Sequence, residues 1–189
     1  MIMKLRFATL FVALSVFALA VSGCSKDDAK ENPQDVVANV DDEVMACFDL
    51  LNQFRIGDEA HYLDKDNTTT ISMVEQLQPL TLDPDLCKAA QIRANELLKK
   101  WSHTRPDGRG ASTVLDDLGI SVTAWGENIA AGNKGGAATF KQWKEDGKPY
   151  DGQGHRRNML GKQFTKVGIA HAYDASTQYK HYWAMVLAR

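Results

Sequence analysis

Asp151-Gly152-Gln153-Gly154-His155-Arg156-Arg157-Asn158-Met159-Leu160 sets one histidine between a glycine-rich approach and an apolar exit. Gly152 and Gly154 permit a tight turn and remove side-chain bulk ahead of His155, so the imidazole can stand at the mouth of a cavity. Asn158-Met159-Leu160 then returns the chain to the core. A second histidine lies upstream in Trp101-Ser102-His103-Thr104-Arg105-Pro106-Asp107-Gly108, with a carboxylate between the two in Gly126-Glu127-Asn128. Two imidazoles and an acid can converge.

Outward from that stretch, the apolar pattern calls for helices first and a hairpin last. Asp41 and Asp42 can cap a helix whose Val44, Cys47, Phe48 and Leu51 share a face, ending near Arg55. Asp83-Pro84-Asp85 is a helix start: an acid at the N-cap, proline in the first turn and a second acid on the positive end of the dipole. That helix is expected to reach Lys100 and to bury Leu86, Ala90, Ala94, Leu97 and Trp101. Ser112 or Thr113 can cap a short helix with Val114, Leu115 and Leu118, stopped at Gly119. A further helix from Ala137 to about Asp146 directs Phe140 and Trp143 the same way. Lys166 to Tyr173 and His181 to Ala188 alternate as strands, with turn residues at Asp174 to Thr177. Ile56 to Gln78 reads as a polar loop with one short helical turn around Ile71, Met73, Val74 and Leu77. The fold class is α+β.

The N-terminus carries Lys4 and Arg6, then an apolar run from Phe7 to Val21 that is short for a membrane span. Val21-Ser22-Gly23-Cys24 resembles a bacterial lipoprotein box, in which residues 1–23 are removed and Cys24 carries the lipid. An ordinary secretory leader is the alternative, and both readings export the protein. Cleavage of 23 residues from 189 leaves 166 and moves the net charge from -2 to -4. No basic patch invites nucleic acid. Residues 24–41 read as a lipidated cysteine and a flexible tether, which reaches roughly 55 Å when extended. Residues 42–189 form one domain. Ser25, rather than an aspartate, after the cysteine points to outer-membrane sorting in a Gram-negative cell.

With Cys24 lipidated, Cys47 and Cys87 remain as a pair in an oxidising compartment, and a disulfide between them is expected. It would close a loop of about 40 residues, worth roughly 4 kcal/mol on the chain-entropy model. Two buried free thiols are the other reading.

Nucleophilic catalysis finds little support. Ser102 and His103 are neighbours on an extended segment and point to opposite faces, and no Gly-x-Ser-x-Gly elbow occurs. Metal chemistry is better served: His103 and His155 suit zinc, with Glu127 as ligand, base or orienting group. The same three residues can equally form a polar network that orders loops. His61, His171 and His181 read as half-exposed structural rings. Arg105, Arg109, Arg156 and Arg157 read as solvated or carboxylate-paired, and Trp101, Trp125, Trp143 and Trp183 as core.

Six segments in order together resemble the CAP superfamily of cysteine-rich secretory, antigen 5 and pathogenesis-related 1 proteins (SCP domain), in its bacterial exported branch. They are Leu50 to Arg55, Leu86 to Gln91, Ser102 to Gly108, Trp125 to Ala130, Gly154 to Leu160, and Phe164 to Ile169 with Tyr182-Trp183. The resemblance implies an α-β-α sandwich with a central antiparallel sheet. It also implies a cleft lined by His103, His155, Glu127 and a second acid, and in many relatives zinc. That second acid falls at Asp146, three residues after Trp143, with Glu145 beside it as substitute. The chain departs from the family in a longer connection from Trp143 to His155 and in the insertion Ile56 to Gln78. Three functions follow. The first is a membrane-anchored extracytoplasmic protein binding a small ligand, lipid or envelope protein in the cleft, with or without zinc. The second is a metal-assisted hydrolase of peptide or cell-envelope material, with Glu127 or Asp146 as base. The third is a structural envelope protein.

Overall fold

The computed structural model describes residues 41–66, 68–73, 75–146 and 153–189. The leader, the lipidation site at Cys24, the tether as far as residue 40, and Gly152 lie outside the described residues. Along the chain run α1 (Asp42–Ile56), β1 (His61–Leu63), β2 (Thr70–Met73), β3 (Thr81–Leu82), α2 (Pro84–Leu97), α3 (Thr113–Asp117), β4 (Trp125–Ala131), α4 (Gly136–Lys144), α5 (Gly154–Met159), β5 (Lys166–Tyr173) and β6 (His181–Ala188).

The two long helices start as their sequences dictate. Asp41 accepts from the Glu43 amide and Asp83 from the amides of Asp85 and Leu86, with Pro84 in the first turn of α2. Each cap satisfies amides that the helix leaves without an internal acceptor. Val44, Cys47 and Leu51 of α1 and Leu86, Ala90, Ala94 and Leu97 of α2 are buried. The α2 helix ends at Leu97, so Trp101 belongs to the following loop and is 44% exposed.

Four strands pair in the order β3-β5-β6-β4. β5, β6 and β4 are antiparallel, and short β3 adds to β5 in parallel. β5 and β6 bury both faces. Val167 and Ile169 of β5, with Trp183, Met185 and Leu187 of β6, pack with α1, α4 and α5 residues. Ala170 and Ala172, with Ala184, Val186 and Ala188, pack against α2 and α3. The fold is thus an α+β sandwich of helices on either side of one sheet. At Gly168 the α2 backbone lies on β5 so closely that an added Cβ would come 2.0 Å from the Leu86 carbonyl carbon.

Several expectations need correction. β4 is absent from the strand pattern because Gly126, Glu127 and Asn128 break its apolar alternation, although Gly126 to Ala130 are all buried. β1 and β2 pair antiparallel where a loop with one helical turn was expected, and Val74 of that expected turn lies outside the described residues. Ile71 is 49% exposed on β2 whereas Leu77, beyond the strand, is buried in the core, so the two do not share one helical face. Trp125 is also 44% exposed, leaving Trp143 and Trp183 as the core tryptophans. Cys47 and Cys87 are free thiols. Cys47 is packed in the layer of α1, whereas Cys87 lies on α2 across the sheet, a separation that keeps their side chains from bonding. Burial pushes the Cys47 thiol up to about 12 and raises that of Cys87.

Candidate functional site: two histidine–glutamate pairs at one sheet edge

β4 pairs with β6 on one side only, and its other edge is met by α5. Asn128 donates to the His155 carbonyl (3.0 Å), and Asn158 donates to the Glu127 carbonyl (3.1 Å) and to Asn128 Oδ1 (2.9 Å). The His155-bearing helix is thereby fixed to the strand at the residues that carry Glu127. Gly126 keeps the approach open, since a Cβ there would meet the Phe164 ring at 3.0 Å.

Both predicted histidines are held through Nδ1 by a carboxylate. His103 Nδ1 lies 2.6 Å from Glu127 Oε1, and His155 Nδ1 lies 2.7 Å from Glu145 Oε1. The acids are the buried members, with side chains 3% and 5% exposed, while the imidazoles are 59% and 29% exposed. A carboxylate at Nδ1 favours the tautomer protonated there, which leaves the Nε2 lone pair to accept a hydrogen bond or ligate a cation.

The acid beside His155 is Glu145 and not Asp146. Glu145 caps α4 in the left-handed conformation (φ 56°), so the chain reverses and the two neighbouring carboxylates part. Asp146 instead reaches Arg156 (2.6 Å) and Lys144 (2.9 Å). Gln153, at the start of α5, is a second left-handed non-glycine (φ 48°) and is buried. Such conformations cost about 1 kcal/mol each and persist where surrounding contacts enforce them.

Those contacts come from the insertion. Gln153 accepts from the Leu63 amide, and Arg156, 1% exposed, donates to the carbonyls of His61, Glu59 and Lys144. β1 is therefore stitched to both sides of His155. Burial holds the Arg156 guanidinium below its ordinary pKa against the pull of Asp146.

A residue that the sequence reading passed over anchors the other pair. Arg93 is fully buried on the inner stripe of α2 and donates to Glu127 (2.6 Å), to Glu96 (2.6 Å) and to the Ser102 carbonyl (3.0 Å). Burial alone would lower its pKa, but Glu127 and Glu96 more than offset this and raise it. An arginine on a stripe of Leu86, Ala90, Ala94 and Leu97 was the available signal. Glu96 continues the network to Arg105, which reaches Asp117, as does Arg109. Arg105 and Arg156 are thus buried and carboxylate-paired, and Arg109 is paired at the surface. The Ser102 hydroxyl accepts from the Thr104 amide, which gives it a structural use away from His103.

With this geometry in view, a model described as "Cysteine-rich secretory protein family" (CAP) matches residues 48–187. The chain belongs to the CAP family. It is 30% identical over 102 residues to the uncharacterized protein YkwD of Bacillus subtilis, an alignment that takes in 53% of this chain and 37% of that relative. The chain therefore spans well under half of the curated protein it matches. Among solved structures, an extracellular SCP-domain protein of Bacillus anthracis superposes with a TM-score of 0.58 at 21% identity, over 86% of this chain and 45% of the other. An outer surface protein of Borrelia burgdorferi gives 0.59 at 14% identity, over 79% of this chain and 96% of the other. At such identities the likeness concerns the fold.

Zinc usually takes three or four protein ligands. Among the described residues no three His, Cys, Asp or Glu side chains are grouped to hold a metal. The pairs fit zinc in chemistry, because each carboxylate already orients an imidazole, but not in number. Among the described residues no helix is long and apolar enough to cross a membrane.

Proposed function

We propose that this CAP-domain protein is exported, lipid-anchored at Cys24 in the bacterial cell envelope (on the outer membrane if the cell is Gram-negative), and binds a small ligand, lipid or envelope protein through the exposed edges of His103 and His155. The observation that carries this reading is the pairing of each imidazole with a buried glutamate. Such pairing fixes the ring and its tautomer before any partner arrives, which lowers the ordering cost of binding. Anchoring follows from the lipoprotein-like box and the polar segment behind it.

A metal-assisted hydrolase is the second reading, favoured by one feature: a carboxylate on the far nitrogen of an imidazole is the usual support of a metal-ligating histidine. Zinc titration of the purified protein by calorimetry, beside a His103→Ala/His155→Ala variant of normal circular dichroism, separates the two. Saturable binding near one ion, lost in the variant and accompanied by cleavage of peptides or envelope fragments, supports the hydrolase. Binding of lipid or protein partners that depends on the same histidines, without turnover, supports the binding module. Partner binding indifferent to both histidines overturns the proposal.

A further inference from the structure

Besides these pairs, the β5–β6 hairpin brings two more histidines together. His171 and Trp183 are directly opposed across the strands, as are Tyr173 and His181, so all four side chains share the sheet face that packs toward α1. His171 Nε2 and His181 Nδ1 face each other at 3.0 Å with their rings 12° from parallel. The His171 ring lies on Trp183 at 4.5 Å, and the Trp183 indole is itself held by the Asn133 carbonyl. Tyr173 covers His181 at 4.8 Å. The pair borders a cavity of about 450 Å³ whose remaining walls are Asp41 and Glu43 from the start of α1, Lys134 and Tyr173.

We propose that His171 and His181 together bind one divalent transition ion of the imidazole-preferring class, such as zinc or copper, with the rest of its shell supplied by water under the field of Asp41 and Glu43. Two nitrogens on one tetrahedral zinc stand about 3.3 Å apart, given bonds of about 2.0 to 2.1 Å, so the pair must open by a few tenths of an ångström and both rings must turn until their lone pairs meet beside the line that now joins them. At present one of the two nitrogens donates to the other. Binding moves that proton to the outer nitrogen of the same ring, leaving two neutral imidazoles, two lone pairs on the ion and no net proton released.

The surroundings favour this exchange. Strand pairing fixes both Cα positions, and the stacked aromatic rings restrict both imidazoles, so little freedom remains to be lost. Glu43 uses one carboxylate oxygen on the Gly136 amide and Asp41 uses one on the Glu43 amide, and a second oxygen of each remains for a metal-bound water. Imidazole-rich sites select copper, nickel and zinc over calcium and magnesium.

The test is zinc calorimetry and thermal melting on the full-length protein, on His181→Ala, on His171→Gln and on His103→Ala/His155→Ala. The expected result is a zinc-dependent rise in Tm and saturable binding that survive the His103→Ala/His155→Ala change and weaken about tenfold or more in the hairpin variants. Should the hairpin variants fail to fold, electron paramagnetic resonance of copper on the His103→Ala/His155→Ala protein is expected to show two coupled imidazole nitrogens. Binding unchanged by His181→Ala and His171→Gln, or a copper spectrum with fewer than two such nitrogens, overturns the inference. Because the two histidine pairs are removed independently, failure here leaves the proposed ligand site standing.

Discussion

Replacing Arg93 by methionine, close to it in length but without the guanidinium, tests how the His103–Glu127 pair is held. In the native protein the guanidinium is fully buried and serves two carboxylates and a carbonyl. Its loss leaves Glu127, 3% exposed, with His103 as its remaining side-chain partner and Ser102 with an unmet carbonyl. Breaking one side of a buried pair costs about 3–5 kcal/mol, since the surviving charge stays desolvated. Glu96, 17% exposed, can turn to Arg105 and adds little. For a domain of this size each kcal/mol moves Tm by about 2–4 °C, so a fall of roughly 6–20 °C is expected. Urea unfolding followed by tryptophan fluorescence gives the matching free energy. A double-mutant cycle with Glu127→Gln should show coupling above about 1 kcal/mol. A loss below about 1 kcal/mol for Arg93→Met, with no coupling, would refute the claim that Arg93 is what anchors the buried Glu127–His103 pair.

Other predictions rest on single features. Gly168→Ala drives a Cβ into the Leu86 carbonyl and should cost about 3 kcal/mol or more in urea unfolding, because neither backbone can yield without parting α2 from the sheet. Glu96 is pushed up by burial, but the guanidiniums of Arg105 and Arg93 more than offset this and hold its pKa below the ordinary 4.5. Its contribution is therefore present above pH 4.5 and declines as the pH falls through and below that value, and Glu96→Gln should flatten the acid limb of a stability–pH curve. Parallel curves for the two proteins would count against the network. With the Cys47 thiol pushed up to about 12, native protein should resist alkylation there, while unfolding without reductant should expose alkylatable thiols at both Cys47 and Cys87 by peptide mass mapping.

The Asp83-Pro84-Asp85 start and the β5–β6 alternation are local, since caps and period-two burial depend on near neighbours, and both stand where the sequence placed them. β4 was hidden because its polar residues are satisfied by distant groups: Arg93 and His103 for Glu127, and Asn158 and the His155 carbonyl for Asn128. His103, Glu127 and His155 could be named from their motifs, yet nothing local distinguished Glu145 from Asp146. The left-handed cap of α4 makes that choice, and it depends on where α5 lies.

The amino-acid sequence by itself determined the capped starts of α1 and α2, the terminal hairpin, the α+β class and the histidines worth attention, since each follows from residue spacing and local hydrogen bonding. Only the tertiary structure decided that Cys47 and Cys87 face different layers, that Arg93 carries Glu127, and that the insertion braces His155. It alone also set His171 against His181. Each of these depends on which distant groups meet once apolar burial has packed helices on both faces of one sheet, and no sequence interval encodes that meeting.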